Sequence, residues 1–319
     1  MDLSVVIVSW NVKQLLRECL ASVYDSFEGL GTIFEVLVVD NASTDGSADM
    51  VAEQYPETCL MANPENKGFA AANNQGLAET SGRHVVLLNP DTSLRGNALG
   101  TLLGFMDQTP SAGMAGPRLV FGDGSFQHSA FAFPSLAQAV FDFFPVHHRL
   151  TESRLNGRYP RSLYATRDPF AVDHPLGACM MVRRAVIEQV GGLDEQFFMY
   201  CEEVDWAMRI KQAGWSVFCV PAAEVVHYAG QSTRQVRDAM FVALWRSRFR
   251  LFDKHYGRFY NWAVRRIVLA GLWREAAQAR RQAERGLISG DDLAVRLATY
   301  ADVRRLVEDR GKSQMVTAL

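Results

Sequence analysis

Over residues 1–110 the hydrophobic positions switch repeatedly between two spacings, and each switch predicts a change of element. Residues 3–9, 34–39 and 85–88 are near-continuous apolar runs, the pattern of strands covered on both faces of a parallel sheet. Between them, residues 12–24 put Leu15, Leu16, Cys19, Leu20 and Val23 on one helical stripe. Ser43-Thr44-Asp45-Gly46 predicts a cap before a helix reaching about residue 54; a short strand at 58–61 and a helix over 68–79 follow. This is the first half of an open α/β sheet. From Gly113 the pattern loosens, and residues 131–168 show no steady period, with His147 and His148 read as surface loop residues. Regularity returns as a strand at 177–184, a short helix stopped by Gly191-Gly192, and a helix over 202–213 ended by Gly214. Two separate short strands are expected at 215–220 and 225–227, and helices from 235 to the end, broken near Gly257 and 286–290. The expected division is a core domain over 1–234, with halves 1–110 and 111–234, and a helical region over 235–319.

Composition narrows the class. With 48% apolar and 21% charged residues in 319, the chain is ordinary globular material, and a net charge of −2 carries no nucleic-acid signature. The charge is uneven, however: residues 234–285 hold 13 Lys or Arg against 4 Asp or Glu, a local excess of nine. Cys19, Cys59, Cys179, Cys201 and Cys219 are widely spaced and odd in number, which predicts reduced core residues in a cytosolic protein rather than disulfides or a zinc site. No signal peptide is expected, and no stretch approaches the ~20 uncharged apolar residues of a spanning helix.

The candidate chemistry sits where elements end. The strands at 34–39 and 84–88 run into Asp40 and Asp91, and ligands of open α/β sheets bind at the carboxyl ends of strands. Carboxylates there suit a metal ion that holds phosphates, or hydrogen bonds to a base and ribose. Ser9-Trp10-Asn11 closes the first strand, as a helix cap or as a nucleoside contact. Asp40-Asn41-Ala42-Ser43-Thr44-Asp45 is richer in polar groups than a turn requires, although an Asx turn and cap explain much of it. Lys67 and Gly68 open a helix of small residues carrying Asn73; Lys67 would face phosphate, or the segment is an ordinary helix start. Asn89-Pro90-Asp91 aims a carboxylate out of its strand end, where it either joins a cation or forms a plain turn. Glu202, Glu203 and Asp205 crowd one first turn after the apolar Phe197 to Tyr200; the helix dipole favours acids there, and a carboxylate in an apolar cleft is also what a general base needs. His227 ends a strand, as a structural residue or as a metal's partner to Asp91. Glycine loops of the GxGxxG or Walker type are absent, which sets aside dinucleotide oxidoreductases and P-loop enzymes.

Seven segments in this order resemble a family 2 glycosyltransferase with a GT-A fold: VVIVSWN, VVDNASTDGS, ENKGFAAANNQG, LLNPD, PLGACMMVRR, GGLDEQFFMYCEEVDWAMRIKQAGW and VVHYAGQS. Within that family the chain is similar to bacterial rhamnosyltransferases of cell-surface polysaccharide synthesis. The resemblance implies a GT-A open mixed sheet, an inverting transfer from a nucleotide-diphosphate sugar (dTDP-rhamnose or a UDP-sugar), and Mg²⁺ or Mn²⁺ as cofactor. It implies donor contacts from Ser9, Trp10, Asn11, Asp40, Asn41, Asp45, Lys67, Gly68, Asn73, Asn89 and Asp91, and metal ligation by Asp91 with His227. Glu203 falls at the catalytic-base position, with Glu202 and Asp205 as alternatives, and Gly177, Ala178, Tyr200 and Trp206 are implied at the acceptor. Asn89 stands where the family's DXD motif has its first acid. The acceptor would be a saccharide or polyprenyl-linked saccharide. The basic, aromatic stretch over 241–273 either lies on an anionic membrane surface at the inner face of the plasma membrane or packs on the catalytic domain; the tail would equally serve a homodimer. The rival readings are a sugar-phosphate nucleotidyltransferase and a non-catalytic binding module.

Overall fold

A computed structural model describes residues 1–28, 31–229 and 237–308. Strands β1 (Leu3–Ser9), β2 (Phe34–Asp40), β3 (Cys59–Ala62) and β4 (His84–Leu88) alternate with helices α1 (Lys13–Phe27), α2 (Ser47–Gln54) and α3 (Phe69–Glu79). They are followed by β5 (Thr92–Arg95), α4 (Ala98–Gln108) and β6 (Ala112–Val120). An excursion of short elements comes next: β7 (Phe126–Gln127), β8 (Ala130–Phe131), α5 (Leu136–Phe143), α6 (His148–Thr151), α7 (Arg161–Ala165), β9 (Phe170–Ala171) and β10 (His174–Pro175). The chain then forms β11 (Cys179–Arg183), α8 (Arg184–Val190), α9 (Glu202–Gln212), β12 (Ser216–His227), α10 (Arg237–His255), α11 (Arg258–Glu284) and α12 (Gly290–Glu308).

The main sheet runs β3-β2-β1-β4-β11-β6-β12-β5. Its first four strands are parallel, and β11 enters antiparallel to both β4 and β6, so the sheet is mixed. The apolar runs are explained by burial on both faces. Val5, Ile7, Val36 and Val38 pack under α1 and α4, whereas Val6, Val8, Leu37 and Val39 pack under α3 and α9. Helix α3 approaches β1 so closely that a Cβ on Gly76 would lie 2.4 Å from a Val6 methyl, which is why that position has none.

The structure departs from the sequence reading in four places. The segment after Gly113 belongs to β6, buried almost throughout, and its Gly and Pro hide the strand pattern. The two strands expected at 215–220 and 225–227 are one, β12, with a register shift between Val220 and Glu224 around Pro221. The aromatic C-terminal stretch divides: Trp245, Phe249 and Phe252 of α10 are buried against Phe197, Val204 and Met208, while Phe259, Trp262 and Trp273 of α11 stay exposed. All five cysteines are free, and Cys59 is exposed instead of buried. His147 and His148 are exposed, as expected of surface residues. The GQS end of the last motif and residues 309–319 lie outside the described residues.

Candidate active site

The carboxyl ends of β1, β2 and β4 stand side by side, with Ser9 in register with Asp40 and β4 running through Asn89-Pro90 to Asp91. Asp40 is buried; Oδ2 accepts from the Ser43 amide at 2.9 Å, and Oδ1 has no partner among the described residues. Ser9 Oγ and Asn89 Oδ1 are buried and unpartnered in the same way. A buried polar group left alone costs roughly 1–3 kcal/mol, and a hydrogen-bonding ligand at these adjoining strand ends would offset that cost at three atoms.

Asp91 and His227 meet at the neighbouring edge, where β5 pairs with β12 and places Thr92 opposite His227. Asp91 Oδ1 lies 3.5 Å from His227 Nε2, and both side chains are under a tenth exposed. On the far side of the ring, His227 Nδ1 is 3.1 Å from Gln127 Nε2, while Gln127 Oε1 is buried without a partner among the described residues. Turning that amide over seats Oε1 on an Nδ1–H and leaves the Nε2 lone pair facing Asp91, the tautomer a cation requires. One carboxylate and one imidazole fit Mn²⁺ better than Mg²⁺, which prefers an all-oxygen shell. Among the described residues no group of three or more His, Cys, Asp or Glu could hold a metal, so substrate oxygens would have to complete the shell.

The acidic turn opens α9. Tyr200 and Cys201 are left-handed, at φ 70° and 66°, and reverse the chain so that Glu202 and Glu203 start the helix. Two such residues together cost about 1–3 kcal/mol each and persist only where the surroundings over-determine them. Phe198 provides part of that hold: its carbonyl accepts the Phe69 amide at 2.8 Å, and its ring packs on Gly68, where a Cβ would clash at 2.6 Å. Burial pushes the carboxyls of both Glu202 and Glu203 above the ordinary glutamate range, the charge of Glu203 adding to the effect on Glu202. Each also has an Oε2 with no partner among the described residues, but Glu202 is buried whereas Glu203 is half-buried. A Cβ on Gly177 would lie 3.7 Å from Glu203 Cγ, in ordinary contact, so the bare glycine leaves the Glu203 side chain room on that side. The next residue, Ala178, accepts the Asn89 amide at 2.9 Å. Residues 177–178 therefore bridge the strand end that carries Asp91 and the turn that carries Glu203.

Several expected site residues are committed elsewhere. Asp205 is fully buried and bonded to Arg209 Nε at 2.8 Å and to Lys254 Nζ and His255 Nε2 at 2.7 Å each, so it is no free base. Burial alone would raise its carboxyl, but these hydrogen bonds outweigh burial and hold it below the ordinary aspartate value. Trp206 is a core residue whose indole N–H donates to the Gly191 carbonyl, so it offers no face to an acceptor. Ala178 contributes its carbonyl and buries its methyl. Asn73 is buried and bonded to the Phe69 carbonyl one turn back. Asn41 spends its amide on Asn63, Asn66, the Lys67 N–H and the Gly68 carbonyl, pinning the loop ahead of α3. Asp45 accepts from the Lys13 and Ser47 amides and so caps α1 and α2, and Asn11 Oδ1 accepts from the Thr44 amide. Lys67 is exposed; Trp10 and Tyr200 are half-buried. Gln127 and His255 carry no local signal that separates them from surface residues, and Lys254, which the sequence places in the basic stretch over 241–273, pairs with Asp205 instead of facing outward alone.

The Glycosyl transferase family 2 profile matches residues 4–191. An N-acetylglucosaminyl-diphospho-decaprenol L-rhamnosyltransferase of Mycobacterium tuberculosis is 32% identical over 272 residues, covering 80% of this chain and 85% of that protein. The chain belongs to glycosyl transferase family 2. As a family 2 glycosyltransferase of rhamnosyltransferase-like type, it is also 25% identical to the dTDP-rhamnosyl transferase RfbF of Shigella flexneri, covering 63% of this chain and 62% of that one. Among solved structures, a mannosyltransferase of Pyrobaculum calidifontis in complex with GDP-Man and Mn²⁺ superposes with a TM-score of 0.54 at 19% identity, over 96% of this chain and 84% of that one. The mixed sheet of this glycosyltransferase is thus of the GT-A type.

Proposed function

We propose that this family 2 glycosyltransferase moves a sugar, with inversion, from a nucleoside-diphosphate donor (dTDP-rhamnose, with UDP-sugars as the alternative) to a hydroxyl of a polyprenyl-linked or other saccharide in cell-surface polysaccharide synthesis. The observation that carries the reading is the set of buried atoms of Ser9, Asp40 and Asn89 without a partner among the described residues at adjoining strand ends, tied through Gly177-Ala178 to the turn that carries the half-buried Glu203. Asp40 and Ser9 are suited to the nucleoside, and Asp91 and His227 to a divalent cation at the diphosphate. Bound there, that cation would supply charge neutralisation at the leaving group. Glu203 takes the proton of the acceptor hydroxyl, and the oxygen bonds to the anomeric carbon from the face opposite the diphosphate. The old carbon–oxygen bond breaks and its electron pair leaves with the nucleoside diphosphate. The rhamnosyltransferase relative supports both the sugar and the lipid-linked acceptor.

Asp91→Ala should abolish the metal-dependent part of donor binding, since His227 would then be the sole protein ligand. Thermal-shift titration of nucleotide sugars with and without Mn²⁺ checks this; an unchanged Mn²⁺ increment would count against the assignment.

The same reading places the enzyme at the cytoplasmic face of a membrane. No helix among the described residues is long and apolar enough to cross one. The outer stripe of α11 instead carries Phe259, Trp262 and Trp273, exposed by 75, 55 and 76%, with Arg258, Arg266 and Arg280 beside them. Such a stripe suits an anionic interface. Replacing the three aromatics by Ala should weaken sedimentation with anionic liposomes at least about tenfold, given ~1.4 kcal/mol per decade and the apolar area lost. Equal partition of both proteins would remove the membrane assignment.

A further inference from the structure

We propose that α10, outside the segment that the family profile matches, is a positioning element of the catalytic turn, and that Ser247, Lys254 and His255 fix the direction in which its carboxylates point. This rests on the reading of the acidic turn as the seat of the base. The turn is held at three places by this one helix. Ser247 Oγ donates to the Met199 carbonyl at 2.7 Å, just ahead of the two left-handed residues. Lys254 and His255 both reach Asp205 Oδ1, two residues beyond Glu203, and Lys254 also pairs with Asp194 at 2.7 Å. Between these anchors, the Lys254 ammonium stands 5.9 Å from the centre of the Phe197 ring. From the other side, the turn is held by the Phe69 amide on the Phe198 carbonyl.

The arrangement explains why an aspartate sits fully buried beside a base that must stay accessible. Asp205 transmits the position of α10 to the first turn of α9, where its hydrogen bonds from Arg209, Lys254 and His255 keep it from acting as a base. A side chain displaced by about 1 Å from a productive geometry can cost a hundredfold in rate. Loosening these contacts should therefore lower kcat while donor affinity, which is set at the ends of β1, β2 and β4, is kept.

The test compares Ser247→Ala and His255→Ala with His255→Gln, which can still donate to Asp205, and with Val264→Ala, which trims the buried side of α11 and removes none of the three anchors. The two alanine variants at Ser247 and His255 should lose ~10–100-fold in kcat with unchanged donor Kd, and His255→Gln should recover most of the loss. Val264→Ala should lose thermal stability and keep kcat. The proposal is overturned if Ser247→Ala and His255→Ala turn over like wild type, if their loss lies wholly in donor Kd, or if Val264→Ala loses kcat to the same degree. Glu203→Gln, assayed in parallel, keeps the two claims apart: full turnover there removes Glu203 as base, while a kcat loss in the α10 variants still upholds α10 as the element that positions the turn.

Discussion

Glu203→Gln is expected to lower turnover by ~10²–10⁴-fold while leaving nucleotide-sugar affinity in place, the range for loss of a positioned general base. The amide keeps the size and polarity of the side chain, so the cleft and the start of α9 should survive the change. Donor affinity should survive because the groups suited to the donor come from other strand ends. The pH profile provides a second readout. Burial raises the Glu203 carboxyl, and only its ionised form can accept a proton, so in wild type the acid limb of kcat/KM should lie above the ordinary glutamate value of 4.5. In the variant that limb should vanish. Wild-type turnover in Glu203→Gln, or an unmoved acid limb, would transfer the role to Glu202, the neighbouring carboxylate with an unpartnered oxygen.

Asp205→Ala should act on stability instead. It removes the shared partner of Arg209, Lys254 and His255, and breaking a buried ion pair by deleting one side costs about 3–5 kcal/mol. The low end, ~3 kcal/mol, is expected, because the Lys254 side chain is 34% exposed and can find water. The sign with pH follows from its depressed carboxyl. The contribution is complete above the unfolded aspartate value of about 3.9 and is lost as pH falls through the lower folded value. Denaturation curves of wild type and variant should therefore differ most near neutrality and converge below about pH 4. A destabilisation under ~1 kcal/mol at pH 7 would show that the cluster is no more than a surface network.

The contrast between these two acids shows how far the site could be read from the chain. Glu203 and Asp205 lie in one helical turn, in the same run of residues, and by local pattern are equal candidates. The dipole of α9 favours both. They are separated by what reaches them from afar: His255, 50 positions along, closes on Asp205, while the segment set against the Glu203 side chain is the bare Gly177. Likewise the chain pairs Asp91 with His227 by their places at strand ends, but the residue bonded to the imidazole, Gln127, is 100 positions away in a two-residue strand.

The amino-acid chain specifies β1, β2 and β4, the helices beside them and the strand ends where the acids emerge, because burial on both sheet faces requires contiguous apolar runs and helical stripes, whereas β3 is a short, partly exposed edge strand. It also determined where Asp40, Asp91 and the acidic turn fall along the chain. The tertiary structure alone decided that β6 completes the sheet, that β12 is one bulged strand, that α10 buries its aromatics while α11 exposes them, and which carboxylate is spent on ion pairs. These outcomes depend on which distant segment covers a given side chain, and a local pattern records that a residue is polar or apolar without recording its neighbour across the fold.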